Sequence, residues 1–162
     1  MAHILVTALL WFSIVACGLL AGLYFTFSAF AMTAFGRIDV PAGVAAMTNI
    51  NRVIKRSLFM PLFVGSSLSS LALAVIGAMH WGEDGACEAL AGGIIYFIGM
   101  FVVTMIFNIP RNNALEASDP ASAAGQALWV RYCKEWTAWN HVRTFASTAA
   151  MILFVMALAG HR

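Results

Sequence analysis

The chain has 162 residues, of which 62% are hydrophobic and only 10% charged, and its mean hydropathy is +0.86. A soluble domain needs roughly 25% charged residues to solvate its surface, so lipid must take the place of water over most of this one. The net charge of +2 includes no basic run of the kind that grips nucleic acid, which excludes that partner.

Four stretches carry no charge: Ile4–Phe35, Ser57–Met79, Ala89–Pro110 and Thr144–Gly160. A spanning helix needs about 20 mostly apolar residues, within about 17–25. The first stretch is overlong and is expected to tilt or protrude; the last sits near the lower limit and borrows its preceding turn. None alternates with a period of two, so strands are not expected. The spans are placed at about 4–31, 57–79, 89–109 and 141–160, in a single integral membrane domain covering residues 1–162. Ala29-Phe30-Ala31 resembles a signal cleavage site. The apolar run ahead of it, however, exceeds the about 7–15 residues of a signal core, and no Lys or Arg precedes it. A retained first helix is expected.

The connections carry the charge. Gly36–Arg56 holds Arg37, Arg52, Lys55 and Arg56 against Asp39, while His80–Glu88 holds Glu83, Asp84 and Glu88 with no Lys or Arg. Arg111–Arg143 is basic again, with Arg111, Arg131, Lys134 and Arg143. The positive-inside bias then puts the first and third connections in the cytoplasm and both termini outside, with His161-Arg162 as a weak dissent. In the third connection Asp119-Pro120 reads as a helix start. Ala121–Trp139 is expected to form a helix running toward, or directly into, the fourth span; a shorter one is expected near Pro41–Ile54. The fold class is therefore all-α, a four-transmembrane-helix bundle with an additional cytoplasmic helix before the fourth span. Gly18 with Gly22, Gly65 with Ser69, and Ala146 with Ala150 have the spacing that lets membrane helices approach closely.

Polar residues are few and gather toward one side: Asn49, Asn51 and Arg52; Asn108, Arg111, Asn112 and Asn113; Trp136, Trp139, Asn140 and Arg143; and the end of the first span, Tyr24–Ser28. At about 100° per residue, Trp136, Trp139, Asn140 and Arg143 share an arc of roughly 100°, with His141 outside it. The plain alternative is an aromatic belt with a topology anchor. Cys17, Cys87 and Cys133 lie far apart without C-x-x-C spacing, and no histidine pair has helical spacing, so no disulfide framework, metal or haem is expected. No Asp, Glu or Lys lies within a span, which argues against an ion-coupled transporter.

Gly18-Leu-Leu-Ala-Gly-Leu-Tyr-Phe-Thr-Phe-Ser28, Ala46-Met-Thr-Asn-Ile-Asn-Arg52, Thr104-Met-Ile-Phe-Asn-Ile-Pro-Arg-Asn-Asn-Ala-Leu115 and Trp136-Thr-Ala-Trp-Asn-His-Val-Arg-Thr144 occur in that order. Together they resemble the anthrone oxygenase-like family of small four-helix membrane proteins. Arg111 departs from the apolar residue expected between Pro110 and Asn112. The resemblance implies a membrane-embedded, cofactor-independent oxygenase that oxidises a flat hydrophobic ketone with molecular oxygen. Its substrate is a small molecule drawn from the bilayer, and a homo-oligomer is left open. Under that reading Arg143, Asn140 and Asn112 are the catalytic candidates, the first two holding an enolate oxygen. Trp136, Trp139 and Phe27 would stack on the rings, and Asn108, Asn51 and Ser28 would complete the binding site, with no metal among the ligands. His141 is the titratable candidate base, ranked below Arg143 because its helical phase points away. The competing expectation is a non-enzymatic binder, carrier or accessory subunit in which the Asn, Trp and Arg residues only hold the helices together. A bacterial inner membrane is the expected location.

Overall fold

The computed structural model describes residues 2–161. They form α1 (His3–Phe35), α2 (Val40–Ile54), α3 (Phe59–Met79), α4 (Ala86–Glu116) and α5 (Ala123–Gly160), with no strand among the described residues. All except α2 are long and apolar enough to cross a membrane. α1 packs along α5, α5 along α4, α4 along α3 and α3 against α1, which closes the four into a ring.

The chemistry of the ring's outer surface shows why it needs lipid. Ile4, Trp11, Leu19, Phe25, Phe30, Leu68, Val75, Ile98 and Phe145 are all exposed. Contiguous apolar surface on that scale marks a bilayer contact. Inside, Leu10, Cys17, Leu20, Leu73, Tyr96, Met100 and Phe154 form the bundle core. Close approach comes chiefly from glycines on α4 and the end of α3. A Cβ on Gly93 would run into the Ser70 carbonyl and Ala74, and one on Gly77 into Ala86 and Leu90. The spacing pair Gly18 and Gly22 contributes less: Gly22 faces open space, and Gly18 meets only the Met151 sulfur, at 3.2 Å.

The third and fourth apolar stretches are shorter than the helices that contain them. α4 runs through Pro110 to Glu116, and α5 continues without a break for 38 residues. At 1.5 Å per residue such a helix is about 57 Å long, nearly twice the about 30 Å of a bilayer's hydrocarbon. The helix expected ahead of the fourth span is thus continuous with it and projects beyond the ring. It starts sharply because the Ser122 hydroxyl accepts from Gly125 N at 3.0 Å, and a Cβ on Gly125 would collide with the Asp119 carbonyl.

Against this projection α2 lies as a cap. Its apolar face buries Val44 and Met47 on Leu115, Trp129, Tyr132 and Trp136, a second core just beyond the ring. A Cβ on Gly43 would come within 2.6 Å of the Trp129 ring, so the cap seats only because that residue is glycine. Arg37, Lys55 and Arg56 stand near this capped end, while Glu83, Asp84 and Glu88 lie at the other with the chain termini. His3 and His161 stack there, 4.4 Å between ring centroids. Arg162 lies outside the described residues.

Near the capped end three turns widen to π geometry, at Phe27–Ala31 in α1 and at Phe97–Val102 and Thr104–Asn108 in α4. Pro110 accounts for part of this. It has no N–H for the carbonyl four residues back, so the preceding turn loosens. Beside it, Arg111 Nη1 donates to Phe107 O at 2.8 Å. Widened turns of this kind rotate side chains out of regular register, and are frequent at functional sites.

Candidate functional site

Arg143 is the centre of the capped end. It sits on α5 where the projection meets the ring, and only 5% of it is exposed. Its guanidinium lies over the Tyr24 ring, 4.4 Å from the centroid, and 5.0 Å from that of Trp136, contacts that offset part of the cost of burying a cation. Among the described residues it has no carboxylate partner. The two ion pairs join other arginines, Arg52 to Glu116 and Arg111 to Glu135, each at 2.8 Å. A buried charge with no counter-ion is costly, and a fold keeps one only where something offsets it.

Asn140 fixes how the arginine points. It is fully buried, and its amide nitrogen donates to the Tyr24 carbonyl at 2.6 Å and to Ser28 Oγ at 2.7 Å. The amide oxygen is therefore turned to Arg143, accepting from Nη2 at 2.6 Å. The widened turn at Phe27–Ala31 carries Ser28, and thereby ties α1 to α5 at this level. Thr104, on the widened turn of α4, places its hydroxyl 3.5 Å from Nη1.

Beside Arg143 opens a cavity of about 330 Å³ between α1, α2, α3, α4 and α5, with Tyr24, Phe27, Met47, Phe63 and Trp136 among its walls. Four donor atoms in its lining residues are buried without a protein partner: Tyr24 Oη, Asn51 Nδ2, Trp136 Nε1 and Arg143 Nε. No His, Cys, Asp or Glu is among the described residues that line it. An apolar chamber with unpaired donors and one buried cation is matched to an apolar ligand bearing an acceptor or an oxyanion. A second cavity, about 220 Å³, lies at the opposite end beside His3, His80 and His161 and contains no buried cation.

A family model described as anthrone oxygenase matches residues 47–153. The chain belongs to the anthrone oxygenase family. No curated protein and no solved structure matches it. The stretch matched to the family contains Asn51, Thr104, Asn108, Asn112, Trp136, Asn140 and Arg143, so most of the cavity's polar groups fall inside it.

Of the residues singled out in this family member, Arg143, Asn112, Asn51, Trp136 and Phe27 line the cavity. Asn140, Ser28 and Asn108 stand behind that lining. Asn108 is buried, donating from Nδ2 to the Trp136 carbonyl at 3.3 Å, with its Oδ1 unpartnered. Asn112 accepts from Tyr132 Oη at 2.9 Å and donates to Asn51 Oδ1 at 3.2 Å, while the Asn51 amide nitrogen is buried without a partner. Trp139 departs from the others: it stacks on Phe107 at 3.6 Å between centroids and is not part of the lining. His141 is exposed, in a surface depression with Arg37 and Lys134.

The structure adds Tyr24, Thr104 and Lys55 to the lining. Tyr24 and Thr104 carry a sequence signal, since each lies inside one of the stretches that carry the resemblance, and Thr104 also within the matched residues. Lys55 carries none, because it is one of several cations in a basic connection.

Proposed function

We propose that this family member is a membrane-embedded oxygenase that converts an anthrone-like flat hydrophobic ketone to the corresponding quinone with molecular oxygen and no cofactor. The observation that carries the reading is the buried, uncompensated Arg143 facing an apolar cavity together with three further unpaired donors. Family membership gives the reaction class; the donor set gives it a mechanism.

An anthrone loses a proton from its ring methylene to give an enolate whose negative charge sits on the ketone oxygen. A fixed cation and aligned N–H and O–H donors in a dry site favour that charge, and so lower the barrier to forming it. Arg143, held by Asn140, supplies the cation, with Tyr24 and Asn51 as the neighbouring donors; Trp136 and Phe27 flank the rings. The enolate carbon transfers electrons to oxygen and forms a C–O bond, giving a peroxide that takes up a proton. Loss of the second methylene proton then breaks the O–O bond, leaving a new carbonyl and one water. The four electrons removed from the methylene carbon reduce one molecule of oxygen, so the balance closes without another reductant. Asn112, on the lining, is suited to orient the second oxygen, with Asn108 behind the lining on the Trp136 carbonyl. No acid or histidine lines the cavity among the described residues, so the first proton passes to water or to the medium at its mouth.

The positive-inside bias of the connections supports a cytoplasmic basic end, and a bacterial inner membrane is the location proposed with it. A second reading, a binder or carrier without catalysis, is favoured by one observation: Asn140 is saturated by contacts that join α1 to α5, as a purely architectural asparagine would be.

The deciding experiment is aerobic against anaerobic turnover of a simple anthrone by purified protein in detergent, with the spontaneous rate taken from Arg143→Ala. Oxygen uptake well above that background, with quinone formed in equal amount, supports the oxygenase. Uptake no faster than the background removes it in favour of the binder.

A further inference from the structure

The cavity has a second cation. Lys55, at the C-terminal end of α2, lines the same chamber as Arg143. It differs from the other basic residues of its connection. Arg52 is engaged by Glu116 and Arg37 borders another depression, while Lys55 shares a surface depression with Arg56 but, unlike it, also lines the chamber. Lys55 has no carboxylate partner among the described residues, and none lines the cavity. Its neighbours in the lining are apolar, Ile54, Phe59 and Met60. Lys55 is exposed and so marks the mouth, whereas Arg143 is buried at the inner wall. The chamber thus has a cation at each end and apolar walls between.

A neutral flat ketone has one group for the inner cation and nothing for the outer one. We infer that the substrate is an amphiphile: a flat aromatic ketone whose far edge bears a carboxylate, held by Lys55 at the mouth while the reacting ring reaches Arg143. A lysine is suited to that position, since its flexible stem lies along apolar side chains while the ammonium stays at the wet edge. Such a molecule would lie at the membrane surface with its acid in the headgroup layer and slide ring-first between α2 and α3. This inference rests on the oxygenase reading for the identity of the ring, and on Lys55 alone for the acid.

The test uses a product-like ligand that cannot be oxidised, so that binding is read apart from turnover. An anthraquinone carboxylate and its uncharged methyl ester are titrated against the full-length protein in detergent, with tryptophan fluorescence as the signal. Wild type is expected to prefer the acid over the ester by about tenfold, the weight of one charge-assisted contact at a partly shielded site. In Lys55→Gln that preference falls to about one, and Lys55→Arg retains it. Lys55→Glu reverses it. A wild type that does not prefer the acid, or a Lys55→Gln variant that keeps the preference, overturns the inference. If the preference is lost as expected but no anthrone is turned over, the acid site stands and the oxygenase reading falls. Turnover without any preference has the opposite meaning.

Discussion

The amide oxygen of Asn140 accepts a 2.6 Å hydrogen bond from Nη2 of Arg143, one helical turn further along α5. The same amide gives both of its hydrogens to α1, through the Tyr24 carbonyl and the Ser28 hydroxyl. One side chain therefore both joins two spans and aims the buried cation. The architectural and the chemical consequences can be separated by changing either partner.

For Asn140→Ala, both consequences are expected. The change leaves the Arg143 nitrogen, the Tyr24 carbonyl and the Ser28 hydroxyl without their partner, and each unmet buried group costs about 1–3 kcal/mol. Thermal melting in detergent is expected to fall clearly. Turnover of an anthrone is expected to fall with it, because the guanidinium is no longer held. Normal turnover at a lowered melting temperature would detach Asn140 from the chemistry.

Arg143→Met should behave in the opposite way. It removes a buried charge that has no counter-ion, and replacing such groups by apolar ones is often neutral or stabilising. Stability is expected to stay within about 1 kcal/mol of wild type, the unmet Asn140 oxygen offsetting the relief of the charge. Turnover is expected to drop by about two to three orders of magnitude, the usual loss when a principal oxyanion donor is removed. A strongly destabilised Arg143→Met would mean that the arginine serves the fold.

The two indoles near Asn140 provide a third comparison. Trp136 lines the cavity and meets Phe27 edge-on at 5.6 Å, while Trp139 stacks on Phe107 away from it. Trp136→Ala is expected to raise the KM for an anthrone severalfold, while for Trp139→Ala the loss should fall on the melting temperature rather than on KM. The ratio of the two KM values is the measurement, and equal values would undo the assignment of Trp136 to the rings.

How much of this could be read from the sequence follows from the physics of each feature. Bilayer thickness sets the length of a span, so the four uncharged stretches were legible. Helical phase was legible too, and it brought Trp136, Asn140 and Arg143 to one face. It failed at Trp139 because a wheel treats the partner helix as regular, whereas α4 is widened at Thr104–Asn108 and sets Phe107 against that indole. Likewise the apolar stretch ends at Pro110, yet α4 continues to Glu116, because the turn ahead of the proline is widened and accommodates it. Lys55 was hidden among its neighbours, since a single cavity-facing cation in a basic connection has no pattern of its own.

Helix packing gives a fourth expectation. Spacing pointed to Gly18 with Gly22, Gly65 with Ser69 and Ala146 with Ala150; Ala146 does meet Gly99 closely, but Gly22 faces open space, and Gly93 of α4 lies tight against Ser70 and Ala74 of α3. Gly93→Leu must push two spans apart, and forced overpacking of this kind costs about 1–3 kcal/mol or more. Gly22→Leu has open space around it and is expected to leave detergent melting nearly unchanged. A larger loss at Gly22 than at Gly93 would indicate a partner molecule covering that face of α1.

Cysteine labelling tests the orientation and the burial together. Cys87 is exposed in the first turn of α4, at the end with the acidic connection, and Cys133 is half-buried on the projecting part of α5, at the capped end. Thiols react as thiolates, and burial pushes the Cys133 thiol up to about 11. Its pKa is raised, so the neutral form persists through neutral pH and the reactive form gains about tenfold per pH unit until pH reaches that value. With a membrane-impermeant maleimide on right-side-out vesicles, Cys87 is expected to label and Cys133 to stay silent at every pH. In inverted vesicles Cys133 should label slowly near neutral pH and faster as the pH rises, and Cys87 should be silent. Labelling of Cys133 in right-side-out vesicles would reverse the placement of the basic end, and with it the side from which an acidic substrate could reach Lys55.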